Sequence, residues 1–286
     1  MKFAFIAAHQ DQFPIEWICQ VLGVSRSGYY AWRDRPPSAQ ARRRDELTEQ
    51  IRQAYQQSHQ TYGSPRVHRA LAAWGVPCCE KTVAKLMRLA KIRSKVHRRF
   101  VVRTTDSRHD QPVAENLLAR RFTVERPDTV WAADMTYVPT AQGWLYLAVV
   151  LDLCSRKVVG WATADHLRTE LVQRALAMAL VQRRPHGSVL HHSDRGVQYA
   201  SDAYQGLLAA QGFKVSMSRR GACYDNAVVE SFFSTLKREL IHHQQYANHE
   251  EAHRSLFEYI EVFYNRQRRH SALGYRSPTQ FETTLN

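Results

Sequence analysis

The sequence predicts an α/β protein: a mixed five-stranded sheet with flanking helices, preceded by an all-α region of helix-turn-helix character and followed by a helical tail. Two observations predict it. Residues 122–240 hold three strand-like runs in a row, followed by helical and strand-like runs in alternation. Before position 100 and after position 240 the apolar residues recur instead at helical spacing, punctuated by Gly, Pro and capping Ser.

Pro14 sets the start of a helix over IEWICQVL that Gly23 ends, and Ser25 offers an N-cap for a second helix through Tyr29, Tyr30 and Trp32. This pair, within residues 1–38, reads either as a helix-turn-helix or as a helical hairpin packed through its aromatics. Pro36 and Pro37 interrupt the chain. From Ala39 a long helix carries Leu47, Ile51 and Tyr55 on one stripe, with Arg42, Arg43, Arg44 and Arg52 largely elsewhere. Ser64 and Pro65 open VHRALAAW, which Gly75 closes, and a further helix runs from about Glu80 after the turn Val76, Pro77, Cys78. That second pair also reads as a helix-turn-helix and defines a basic helical DNA-binding region over 39–100.

In the helix from Glu80, Val83, Leu86, Met87 and Ala90 form the apolar side, while Lys81, Lys85 and Arg88 follow at i, i+4 and i+7 on the other. Eight basic and no acidic residues lie between Lys81 and Arg99, so the stripe suits contacts to a phosphate backbone, which position a protein without reading bases. Residues 101–121 lack a clear period and read as a linker, so the core is expected over 122–240. WLYLAVVLDLC and KVVGWATA form a hairpin beside the strand VWAADMTYVPT; Thr169 to Arg184 is helical, SVLHHS a strand, Ala200 to Gln211 a helix and FKVSMS the last strand. In the tail, 241–286, Leu256, Ile260 and Phe263 keep helical register and Pro278 opens a final short helix.

Composition bounds the function. The 286 residues carry 40 Lys and Arg against 26 Asp and Glu, a net +14; residues 1–125 hold 22 basic and 11 acidic, so the first half is the polyanion grip rather than a merely solvated surface. Five cysteines without CxxC or zinc-like spacing fit a reducing compartment, and no run reaches the roughly 20 apolar residues of a membrane span.

Three carboxylates stand out. Asp134 lies inside a strand beside the small residues Ala132 and Thr136, Asp194 lies where another strand runs into a loop, and Glu230 sits next to the buried stripe Val229, Phe233, Leu236 and Leu240 of an amphipathic helix. Such a set suits hard divalent cations. His191 and His192 at a strand end fit packing, Asp152 a turn partnered with Arg156 or Lys157, and Asp225 or Asn226 the N-cap of the Glu230 helix. Basic residues near the acids are candidate DNA contacts: Arg195 beside Asp194, Lys237 and Arg238 on the Glu230 helix, and Arg268 and Arg269 in the tail, the alternative for the tail cluster being pairing with Glu258 and Glu261.

Thirty-five residues separate Asp194 from Glu230 and Lys237 follows seven after, which resembles the D,D,35,E pattern of integrase-core transposases. PDTVWAADMTYVPTAQGWLYLAVVLDLCSRKVVGWA, HHSDRGVQYAS, SMSRRGACYDNAVVESFFSTLKREL and YNRQRRHSALGYRSPTQFE are similar, in that order, to the second-frame catalytic protein of bacterial insertion-sequence family three; YGSPRVHRAL and EKTVAKLMRLAKIRSK extend the resemblance backwards. Ala222 stands where that family's word more often has Asn.

The resemblance implies a ribonuclease H-like core and a DDE transposase. In it, Asp134, Asp194 and Glu230 bind two Mg²⁺ ions, with Mn²⁺ as a substitute, for strand cleavage and strand transfer at element ends. It further implies attack by one end near the other on the same strand, giving a circular intermediate. The implied partners are terminal inverted repeats and target DNA, a second copy of the chain on paired ends, and an upstream-frame protein or frameshift fusion, all in the bacterial cytoplasm at the nucleoid. An inactive-core DNA-binding regulator and a nuclease of the same fold are the alternative readings.

Overall fold

The computed structural model describes residues 1–95, 113–219 and 223–285. The strand-like runs pair into one sheet from β1 (Val130–Thr140), β2 (Gly143–Asp152), β3 (Val158–Ala164), β4 (Leu190–Ser193) and β5 (Lys214–Met217), in the order β3-β2-β1-β4-β5. The consecutive strands β1, β2 and β3 are antiparallel, whereas β4 pairs parallel with both β1 and β5. Parallel neighbours need a crossover, and α7 (Thr169–Arg183) and then α8 (Val197–Ala200) with α9 (Asp202–Ala210) supply it. The helix expected from Ala200 to Gln211 is therefore two pieces. Ser201 between them is extended and caps α9 by accepting from the Tyr204 amide.

Each face of the sheet has its own core. Trp131, Ala133, Ala148 and Val150 pack with α7, α8 and α9. Ala132, Val138, Leu147 and Val149 pack on the other face with α10 (Ala227–Glu239) and α11 (His249–Phe257). At β3 the α7 backbone comes so close that a Cβ on Gly160 would collide with the Ala175 carbonyl oxygen and lie 2.7 Å from the Ala179 nitrogen. Because the obstruction is backbone, Gly160→Ala is expected to cost about 1–3 kcal/mol or more, read as a lower urea midpoint with an unchanged slope.

The α10 face continues into the N-terminal helices. α4 (Ala39–Gln57), α5 (Ser64–Ala73) and α6 (Glu80–Leu89) bring Leu47, Ile51, Val67, Leu71, Val83 and Leu86 into the same apolar cluster. Tyr62 fastens them to the tail by accepting from the Arg269 amide at 2.8 Å. After α11 the helix widens into a π-helical stretch, Glu258–Tyr264, that still buries Ile260 and Phe263, and α12 (Pro278–Thr283) is capped by Ser277.

The first helices form a smaller cluster. α2 (Ile15–Leu22) ends at a left-handed Gly23, and Ser25 caps α3 (Arg26–Arg33). They pack on α1 (Lys2–His9), a helix the sequence did not announce, since it has no capping side chain and gains its stability by burying Ile6 against Ile18, Cys19 and Tyr29. Residues 113–121 have no regular structure but are pinned: Leu118 is buried and the Leu117 and Leu118 amides donate to Ser216 Oγ. The rest of the expected linker, 101–112, lies outside the described residues, as do Arg98, Arg99 and Ala222. Among the described residues no helix is long and apolar enough to cross a membrane.

Candidate active site

The sheet register brings the first two acids together. β1 and β4 run parallel with Ala132 opposite His192. Two residues further along each chain stand Asp134 and Asp194, so they project from neighbouring strands about 4.8 Å apart, to the same side because each step of two restores the face. The side is that of α10. Asp194 lies just past the end of β4, where a parallel sheet opens its strand ends to a ligand.

Glu230 arrives by a different route. The Asn226 side chain, at the helix start, donates Nδ2 to the Ala133 carbonyl at 3.2 Å, which ties α10 to β1 one residue before Asp134. One turn on, Glu230 is exposed at the rim. Asn226 thus occupies the N-cap position of α10 as expected, but its side chain makes no cap bond; its amide serves the strand instead.

Asp225 is the other correction. It caps nothing, and its buried carboxylate accepts from Arg219 Nε and Nη2 and the Arg219 amide, from Arg120 Nε at 2.8 Å and from Asn116 Nδ2 at 2.8 Å. These bonds, Arg219 first, hold its pKa well below the usual carboxylate range. A depressed carboxyl stabilises the fold fully above the ordinary value, about pH 4, and progressively less as pH falls below it. Asp225→Asn should therefore narrow the gap between urea midpoints at neutral pH and at acid pH; an unchanged gap would show that the hub carries no such linkage.

Electrostatics join the three acids. Burial first, and then the charges of Asp194 and Glu230, raise the Asp134 pKa well above normal against the opposing Met135 amide, which donates to Asp134 Oδ1 at 2.7 Å, and the opposing charge of Lys237. Glu230 is raised by burial and by Asp194. Asp194 Oδ1 accepts from the Gly196 amide at 2.9 Å. Lys237 reaches the same place from two turns down α10, with Nζ 5.0 Å from the centre of the Tyr137 ring; burial lowers its pKa and Asp134 opposes that. Tyr199 stands behind the pair, its buried hydroxyl without a hydrogen-bond partner among the described residues and its pKa raised by burial and, more weakly, by Tyr204, Asp134 and Asp194.

The donor set is carboxylate oxygen, and the mutual repulsion recorded in the raised pKa values is what a divalent cation would relieve. Among the described residues no three His, Cys, Asp or Glu side chains already stand at ligand spacing, so the acids feel one another's charge without forming a finished cage. The neighbouring histidines are structural: His191 bonds the Tyr204 hydroxyl at 2.9 Å and His192 bonds Ser216 and Ser218, with burial driving their pKa values down to about 3 and about 4. Asp152 sits in its turn as expected: its backbone carbonyl accepts from the Arg156 amide and its amide donates to the Lys157 carbonyl, both at 2.9 Å, while its carboxylate accepts from Ser155 and the Asp128 amide.

The basic candidates divide. Lys81, Lys85 and Arg88 are all exposed on α6, opposite the buried Val83, Leu86 and Met87. Arg238 is exposed on α10, while Arg195 donates to the Ser218 carbonyl at 2.6 Å. Half-buried Arg269 donates to the Tyr275 carbonyl. Arg268 does not lie on the surface: its side chain is 5% exposed and pairs bidentately with Glu239 at 2.7 and 2.8 Å, so it is an internal ion pair and not a backbone contact. Glu239, not Glu258 or Glu261, is its partner, because α10 ends against the tail. Arg219, Arg120 and Tyr137 were missed from the sequence, and Asn226 was singled out there as a cap and not as a tie to β1.

Residues 124–223 match the integrase core domain family, 211–278 a second integrase core domain family, and 42–100 the HTH-like domain family. The chain is similar to the transposase InsF for insertion sequence IS3A of Escherichia coli (strain K12), 44% identical over 290 residues that cover 99% of this chain and 98% of that one. It is also 45% identical over 264 residues to the insertion element IS600 uncharacterized 31 kDa protein of Shigella sonnei, covering 92% and 97% of the two chains. Among solved structures it resembles a chain of the simian T-cell lymphotropic virus intasome in complex with PP2A regulatory subunit B56 gamma. There the TM-score is 0.47 and the identity 14%, over 75% of this chain and 69% of that one. The HTLV-2 integrase catalytic core domain in complex with magnesium gives a TM-score of 0.42 at 15% identity, over 55% and 97%.

Proposed function

Since the chain belongs to the IS3-family insertion-sequence transposases and carries their integrase core and HTH-like domains, we propose that Asp134, Asp194 and Glu230 form its catalytic centre for cutting and joining DNA at element ends. The observation that carries the reading is the parallel β1–β4 register, which sets Asp134 beside Asp194 on the face where α10 is tied down by Asn226.

The carboxylates of Asp134, Asp194 and Glu230 would hold a divalent cation through their oxygens. Magnesium, or manganese in its place and as a pair of ions, supplies activation of the attacking oxygen and neutralises the leaving one when bound. The chain does the rest. Lys237 steadies the reacting phosphate next to Asp134, and Tyr199 backs the two aspartates. Lys81, Lys85 and Arg88 grip the terminal inverted repeat by its backbone, with Arg195, Arg238 and Arg269 as further contacts. Residues 39–100 act as the DNA-binding region, 122–240 as the catalytic core and 241–286 as its brace.

Pairing two ends calls for a second copy of the chain, and an upstream-frame product is a further partner. The first joining takes place within one strand and yields a circle before the target is attacked, in the cytoplasm at the nucleoid. The test uses the full chain, a duplex bearing the element end and Mg²⁺, with products separated by size. Joined strands are expected; hydrolysed ends alone would mark a nuclease, and no metal-dependent product would mark a DNA-binding regulator.

A further inference from the structure

A second charged cleft lies along the side of α10 turned from Glu230, backed by the buried Leu151, Phe232 and Tyr264. It encloses about 350 Å³ between the Ala227, Val228, Ser231 and Thr235 side of the helix, Arg66 of α5, Arg156 in the β2–β3 turn, and Arg268 and His270 of the tail. It is the place where the DNA-binding region, the core and the tail all meet. Its charges do not balance. Glu239 is committed to Arg268, and Arg66 reaches the same carboxylate only at 4.0 Å. Arg156 spends Nη2 on the Phe122 carbonyl, its Nη1 is buried without a hydrogen-bond partner among the described residues, and the carboxylate that attracts it, Asp152, already accepts from Ser155 and the Asp128 amide.

Burying three guanidinium groups beside only two carboxylates, Glu239 and Asp152, is costly, and the cost appears in the titrating groups of the cleft. Burial lowers the Arg66 and Arg156 pKa values, and burial together with the charges of Arg268, Arg66 and Arg156 pushes His270 down to about 2. Ser231, Thr235 and Ser271 add hydroxyls to the same wall, the complement of a tetrahedral oxyanion.

We propose that this cleft is a phosphate-binding site that seats a backbone phosphate of DNA on the side of α10 away from the three acids. The phosphate class follows from the charge and the hydroxyl lining; DNA as its source rests on the transposase reading. A strand held there spans from Arg66, in the DNA-binding region, to the helix that carries Glu230.

The experiment measures binding of the full chain to a fluorescent element-end duplex across a salt series, with Arg66→Gln and Ser231→Glu as variants. Each is expected to weaken binding about tenfold and to flatten the dependence of log K on log salt by about one, the loss of one phosphate contact. Unfolding midpoints close to wild type confirm that the variants fold. A folded pair with wild-type affinity and slope would overturn the assignment. Thermal shift with inorganic phosphate, against chloride at equal ionic strength, separates the sources. Stabilisation of the wild type that Ser231→Glu abolishes, with duplex binding unchanged, would keep the anion site and remove DNA from it. If the wild type bound no duplex at all, the transposase reading would fail, and the phosphate titration would still report on the cleft.

Discussion

Asp134→Asn is expected to lower cleavage and joining by about a thousandfold or more while leaving duplex affinity within a factor of a few. The amide keeps the shape of the side chain and can still accept from Met135, but it removes the negative charge that most closely faces Asp194. A metal-assisted phosphoryl transfer draws several kcal/mol from the ion that such a charge holds, and each 1.4 kcal/mol or so is tenfold in rate. The affinity survives because the expected grip, Lys81, Lys85 and Arg88, is on α6 and apart from the acids. The same variant has a signature independent of activity. Three mutually repelling carboxylates destabilise the wild type at neutral pH, and Mg²⁺ should offset this by raising the thermal midpoint. In Asp134→Asn the repulsion is relieved and the Mg²⁺-dependent rise should shrink or vanish. Full strand transfer by the variant would remove Asp134 from the chemistry.

Glu239→Gln is expected to be the most destabilising single change to a polar side chain, about 3–5 kcal/mol. Its carboxylate accepts from Arg268 twice and from the Tyr259 hydroxyl, and the Arg268 side chain is only 5% exposed, so removing the charge strands a guanidinium in the interior. Denaturant unfolding reads the loss. The double variant Glu239→Gln, Arg268→Met should recover most of it, because an apolar side chain of similar length carries no charge to strand. A single variant as stable as wild type would mean that water reaches Arg268.

The three acids stood out in the sequence because strand alternation and helix periodicity are local patterns, and each acid broke its own. Asp134 was recognisable as a strand residue and Asp194 as the point where a strand runs out into a loop before any pairing was known, and the sheet then added the register that sets them side by side. What was illegible depends on contacts distant along the chain. Arg268 and Arg269 look alike in YNRQRRH, yet one is buried against Glu239, 29 residues earlier, and the other is half-buried at the tail. Asn226 has the composition of a cap but finds a strand carbonyl 93 residues away. α1 escaped notice because nothing local marks its ends; it exists only where Ile6 meets Tyr29.

The parallel pairing of β1 with β4 also governs how the gene can drift in length. A single codon gained or lost between Ala132 and Asp134, or between His192 and Asp194, would swing one acid through to the α7 side of the sheet, and no repacking of loops could bring it back. An insertion of two would restore the face but carry the acid about 7 Å along its strand, away from its neighbour. The turn after Thr140, though it adjoins no acid, is held to the tail by the Ala141 amide donating to the Tyr246 carbonyl at 2.9 Å.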